Sequence, residues 1–156
     1  MAETHIESVM SWLFRGVPVT FTGNVTNTGT QTSSSSIKST SATAGMGYGT
    51  GAGGAVTQAT NKTTGVTLNK ICGAITMNNA ALAAGAEATF TVTNSAVAAT
   101  DVVVVCHGSA GTSGAYLVGA SNITAGAFDI TVSNVSAGSL SEAIVLNYAV
   151  VKAVHS

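Results

Sequence analysis

The chain has 156 residues, of which 7% are charged and 46% hydrophobic, with a formal net charge of −1. Ordinary globular domains carry about 25% charged residues, and five Lys and Arg in total leave no basic footprint for nucleic acid and no cationic helix face for a membrane surface. Six acids, three His and two Cys are few groups from which to set titratable side chains against one another, so the composition points to a non-enzymatic scaffold with no cofactor and no metal.

Residues 1–21 open with Thr4-His5-Ile6-Glu7, which fits a capping box with Thr4 as the cap and Glu7 reaching back. Ile6, Val9, Met10 and Leu13 follow at helical spacing, flanked by Trp12 and Phe14. The spacing predicts a short amphipathic helix over 3–14. A helix of this length is marginal alone in water, so its apolar face needs a partner, and Ile6, Val9, Met10, Trp12, Leu13 and Phe14 are the expected docking residues. Val17, Val19 and Phe21 alternate around Pro18 and Thr20 and suggest an edge strand. The first residues carry acids and no apolar core, so no secretory signal is expected.

Residues 22–54 are rich in Thr, Ser, Gly and Asn, with Lys38 their single charge and Val25 and Ile37 their only aliphatic side chains larger than Ala. Such a segment cannot bury enough apolar surface to offset its own ordering. It reads as an extended arm of about 33 residues, able to reach roughly 100 Å and needing another surface to order it. Gly45-Met-Gly-Tyr-Gly-Thr-Gly-Ala-Gly-Gly54 resembles a phosphate loop only superficially. No Lys and no helical pattern follow it, so it reads as a hinge.

Residues 55–156 read as a head of strands joined by turns, at 66–68, 71–77, 87–93, 101–107, 115–119, 127–132 and 143–154. The spacing between them suits an all-β sandwich or barrel. Phe90-Thr-Val-Thr and Phe128-Asp-Ile-Thr-Val-Ser alternate, placing one apolar face inward and a hydroxyl face outward. The continuous runs 102–105 and 144–146 suggest central strands buried on both faces, or strands packed on another subunit. Asn78, Asn94 and Asn134 each end a strand, and Glu87, Asp101 and Glu142 each open the next. Asn suits such turns through its side-chain bonds and its tolerance of left-handed φ; the acids are expected to bind turn amides or guard a strand edge.

Cys72 and Cys106 read as buried thiols of a protein made in a reducing cytoplasm, a bridge between them being the alternative. His107 follows Cys106, and Asp101 opens the same strand, yet neighbours on a strand face opposite ways, so a nucleophilic triad is not expected. The Asn-x-Ser/Thr triplets at Asn24, Asn61, Asn122 and Asn134 read as chance matches. A glycan site needs exposed aromatics beside Asp, Asn and Gln; Trp12 falls in the expected helix, Tyr48 in the arm, and the strand-borne Tyr116 and Tyr148 read as core or interface, which leaves a weak platform.

From residue 49 onward the chain resembles a group of small bacteriophage and prophage virion proteins. The stretches that carry the likeness are Gly49-Thr-Gly-Ala-Gly-Gly-Ala-Val-Thr-Gln58, Lys62-Thr-Thr-Gly-Val-Thr-Leu-Asn-Lys70, Cys72-Gly-Ala-Ile-Thr-Met77 and Asn134-Val-Ser-Ala-Gly-Ser-Leu-Ser-Glu-Ala143. It covers about two thirds of the chain and transfers no individual site residue. The resemblance implies a capsid decoration, cement or head-fibre protein, β-rich and often trimeric.

Together these readings give an all-β expectation: an antiparallel β-sandwich or jelly-roll-like head with an extended N-terminal arm that begins in a short helix. The expected role is a structural protein on the virion's capsid surface, with the major capsid protein and neighbouring copies of itself as partners in a homotrimer. The alternative is a receptor-binding or glycan-binding fibre head facing a host-surface glycan.

Overall fold

The computed structural model describes residues 25–34, 36–43 and 45–155, and the chain divides into two units, Met1–Gly45 and Met46–Ser156. The expected helix, the edge strand after it and the six docking residues lie outside the described residues. Those described between 25 and 43 form neither helix nor strand, and each is exposed. Their bonds are local: the Gly29 amide donates to Asn27 Oδ1 at 2.9 Å and the Thr43 amide to Ser41 Oγ at 3.2 Å.

The second unit is all-β. Its strands are β1 (Gly53–Thr57), β2 (Val66–Thr67), β3 (Cys72–Thr76), β4 (Glu87–Thr93), β5 (Val102–Ser109), β6 (Tyr116–Thr124), β7 (Ala127–Asn134) and β8 (Val145–Val151). They form two four-stranded sheets, sheet A in the order β1-β3-β8-β5 and sheet B in the order β2-β4-β7-β6. Through β6 the chain steps from one sheet to the other at every connection. Parallel pairing needs a crossover connection, and this stepping supplies it: β1 pairs parallel with β3, and β2 parallel with β4, each pair bridged by a strand of the opposite sheet. The other pairings are antiparallel. The sheets are therefore mixed, which corrects the expectation of an antiparallel head.

Alternation decides what each strand buries. In β4, Ala88, Phe90 and Val92 point inward; in β7, Phe128, Ile130 and Val132 do so. From sheet A come Ile75, Leu146, Tyr148 and Val150, and both sets join one core. Phe128 and Tyr148 meet there with ring centroids 5.4 Å apart. Gly73 of β3 lets this core close over the backbone: a Cβ there would lie 2.7 Å from both the Gly54 carbonyl oxygen and Leu68 Cδ2. The β6–β7 hairpin turns at Gly126, whose φ of 87° favours glycine.

The strand-ending asparagines fasten the connections. Asn78, Asn94 and Asn134 each accept, on Oδ1, the amide two residues on, at 2.8, 3.0 and 3.0 Å. None of the three has positive φ, so their contribution is the side-chain bond. Asn134, fully buried, also shares its Nδ2 among the carbonyls of Leu82, Ala83 and Gly138. Two of the three acids bind turn amides: Asp101 Oδ2 accepts from the Ala98 amide at 2.8 Å and Glu142 Oε2 from that of Thr112 at 3.0 Å. Glu87 instead accepts from the Ser133 hydroxyl across the strand pair.

Three readings change. β1 replaces part of the supposed hinge, because Gly-Gly-Ala-Val-Thr carries too little apolar bulk to show as a strand. The run 102–105 lies in β5, an edge strand of sheet A whose Val102 and Val104 are 51% and 56% exposed, so it is neither central nor buried on both faces. Cys106 is an exposed free thiol and Cys72 a half-buried one. With β8 between their strands, their Cα atoms stand two inter-strand steps of about 4.8 Å apart, beyond the roughly 7 Å that a disulfide spans.

Candidate functional site

The outward side chains of sheet A follow from the register. Across the sheet they form rows: Gly53, Cys72, Ala149 and Val104; then Ala55, Ala74, Asn147 and Cys106. A further row pairs Val102 with Val151, and Val145 and Thr76 lie at the opposite end. None of these side chains is charged. Lys70 and Lys152 flank the face, and both are engaged at its rim: Lys70 Nζ donates to the Gly51 carbonyl and Lys152 Nζ to Asp101 at 2.7 Å. The segment before β1 lies against the same face. The Tyr48 hydroxyl donates to the Val150 carbonyl, and Met46, Gly47, Tyr48, Ala149 and Val151 surround an apolar hollow of about 400 Å³.

The outward face of sheet B is built of hydroxyls that satisfy one another. Thr89 and Thr131 share a hydroxyl–hydroxyl bond of 2.7 Å. Asp129 accepts from the Thr91 hydroxyl at 2.7 Å and from Asn122 Nδ2 at 3.0 Å, and Ser133 donates to Glu87 at 2.8 Å. Asn122 sits at a register shift in β6 with φ of 49°, which aims its amide back at Asp129.

A polar cluster forms where β6 meets the segment before β8. The Glu142 carboxylate accepts from the Thr112 amide, the Thr112 hydroxyl at 2.8 Å and the Tyr116 hydroxyl at 2.7 Å. The Thr112 amide first, and then these hydroxyls, hold its pKa below the usual carboxylate range. Burial, then the Glu142 contact, pushes Tyr116 well above the ordinary phenol range. Lys62 is buried, and its ammonium donates to the carbonyls of Asn78 at 2.7 Å and Glu142 at 2.5 Å. That burial lowers its pKa, an effect Glu142 partly opposes. Beside the cluster, His107 meets Tyr116 edge-on at 5.7 Å and places Nε2 2.7 Å from the Ala110 carbonyl oxygen. The loop 107–114 bounds an open cavity of about 260 Å³. The Glu142 carboxylate accepts from three donors, and the Lys62 ammonium donates to two backbone carbonyls, so the cluster ties four chain segments together. The only sign of it in the sequence is the acid that precedes β8.

Cys106, His107 and Asp101 are not brought together. Cys106 faces outward, His107 turns toward Tyr116, and Asp101 is bound to Lys152 and the Ala98 amide. That amide, then the lysine, depresses the Asp101 pKa. Tyr116 and Tyr148 are 7% and 4% exposed, so neither offers a ring for stacking a sugar. Tyr148 donates to the carbonyls of Leu68 and Lys70, and burial raises it to about 12. Among the described residues no group of three or more His, Cys, Asp or Glu is placed to hold a metal ion, and no helix is long and apolar enough to cross a membrane.

No protein-family model matches the chain, and no curated protein or solved structure matches it either.

Proposed function

We propose that the chain is a structural component of a bacteriophage particle, decorating or cementing the capsid, with its two sheets stacked as a β-sandwich, jelly-roll-like head. The head assembles with further copies, as a trimer, and residues 1–45 engage the major capsid protein. The observation that carries this reading is the outward face of sheet A, an uncharged surface of mostly small apolar side chains, with Asn147 among them, on a head whose other sheet satisfies its own polar groups. Large uncharged apolar faces on soluble domains mark association surfaces. The arm adds support: Val25 and Ile37 are 64% and 59% exposed, as in a segment that completes its packing on another chain. The resemblance from residue 49 onward points to virion proteins, and many weak contacts across a capsid give firm attachment.

Immunogold labelling of particles released by the encoding genome tests the location. Label over the capsid is the expected result; particles without label overturn the reading, and label confined to a tail tip replaces it with a receptor-binding one. Removal of residues 1–45, which leaves Tyr48 on its Val150 contact, tests the attachment. A truncated chain that still occupies particles fully removes the arm from the role. A stacked head is checked by a crystal structure, in which the sheets lie about 10 Å apart.

A further inference from the structure

We propose that the outward face of sheet A is the surface through which one copy of this chain binds a second copy, with the valines of β5 entering the apolar hollow beside Tyr48. This deepens the assembly reading above and rests on it only for the expectation that copies meet at all.

Two features favour another copy as the occupant. The first is charge. Burying the outward side chains of sheet A against a charged surface would strand ions without partners. Sheet B cannot serve, since its outward face carries Glu87 and Asp129. The outward face of sheet A on another molecule meets the requirement, and a net charge of −1 sets up little repulsion between copies.

The second is shape. Val102 and Val104 form an exposed ridge on β5, opposite Val151 and Ala149 of β8 in the register. Ala149 and Val151 also line the hollow of about 400 Å³ closed by Met46, Gly47 and Tyr48. Ridge and hollow lie side by side on one face. Knob and socket on a single surface are what self-association requires, in a two-fold pair or in a closed ring.

The test uses the full-length chain in sedimentation velocity over a dilution series. The wild type is expected to self-associate with a dissociation constant in the micromolar range or tighter. Val104→Lys, which puts an ammonium at the centre of the face, is expected to weaken association by about a hundredfold or more. Thr89→Lys, on the outward face of sheet B, is expected to leave it unchanged. A wild type that stays monomeric at roughly 100 μM, or a folded Val104→Lys variant that associates like wild type, overturns the proposal.

Cys106 gives a second readout on unaltered protein. It shares a row with Ala74 and Asn147 on this face, so its maleimide labelling, followed by peptide mass, should slow as the protein is concentrated. Labelling independent of concentration also overturns the proposal. Self-association without particle labelling leaves this inference standing and removes the virion reading; the converse removes the inference alone. The mass of the complex gives the copy number, and a dimer would replace the expected trimer.

Discussion

The two sheets do the same job on their inner faces and differ in composition on their outer ones. β4 and β7 place Phe90, Val92, Phe128 and Ile130 in the core and turn Thr, Ser and Asp outward. β5 and β8 place Val103, Leu146, Tyr148 and Val150 inward but turn Val102, Val104, Ala149 and Val151 outward. Folding requires only the inner pattern. Sheet B shows that a polar outer face is compatible with the same inner pattern; on sheet A, Ala149 and Val151 already meet the segment 46–48, while Val102 and Val104 stay exposed. A core face explains itself by burial; an apolar outer face points to what covers it.

The shared inner face should dominate stability, and its loss is the largest expected effect. Phe128 is fully buried against Tyr148. Phe128→Ala should cost about 3–5 kcal/mol from lost transfer energy and the cavity left behind, read by urea unfolding. A cost below about 1 kcal/mol would mean that the sheets do not depend on a common core.

The second test asks whether the sheets depend equally on their asparagine turns. Asn134 is fully buried and serves the carbonyls of three residues, whereas Asn78 is only half buried. Asn134→Ala takes one donor from each of those carbonyls, which keep the Leu140 amide, the Ala86 amide and the Ser136 hydroxyl, and it strands the Ser136 amide, so it should cost about 1–3 kcal/mol. Asn78→Ala should cost less. The reverse order, measured by thermal unfolding, would shift the weight from sheet B to sheet A.

Alternation made half of this architecture readable in advance and left the other half hidden. β4 occupies 87–93 as its Thr/apolar alternation predicts, because a strand with one polar face announces both its period and its orientation. β5 was ambiguous: four consecutive valines fit burial on both faces or packing on another subunit, and of these the first is excluded by the exposure of Val102 and Val104. β1 was silent, since glycine and alanine give no periodic signal. Parallel pairing was invisible too, because it follows from the chain crossing between sheets, which no local pattern records. The asparagine and acid punctuation could be read, but the meeting of Glu142 with Tyr116, Thr112 and Lys62 is a product of the tertiary fold.

Tyr148 joins the sheets and gives a pH test. Its hydroxyl donates to backbone, and its burial, with Cys72 adding to it, raises its folded pKa from 10.0 to about 12. A raised folded pKa means that the native state holds the proton longer than the unfolded chain does. The contribution is therefore full below pH 10 and is lost as pH climbs through about 12. Tyr116 acts in the same direction. Lys62 acts in the opposite one: its folded pKa is lowered, so the cost of charging it in the folded state is relieved as pH rises. Wild type should lose stability to denaturant across this alkaline range. In Tyr148→Phe the neutral stability should be lower and the alkaline loss smaller. An equally steep alkaline loss in that variant would show that the tyrosine does not titrate with unfolding.

The smallest effect separates the two outer faces most directly. Thr89 and Thr131 sit opposite each other on sheet B and share a 2.7 Å bond. A double-mutant cycle with Thr89→Val and Thr131→Val should return a coupling of about 0.2–1 kcal/mol, the same at every protein concentration, because the bond is complete within one chain. Val104 and Ala149 sit opposite each other on sheet A; Ala149 is half-buried and Val104 exposed within one chain, and under the self-association proposed above a second copy would cover both. The cycle with Val104→Ser and Ala149→Ser should therefore return a coupling near zero in dilute monomer and a larger one as concentration rises, since self-association stabilises the folded state by mass action. Unfolding midpoints at two concentrations, well below and well above the dissociation constant, read both cycles. Couplings that fail to diverge would mean that the two outer faces differ in composition but not in use.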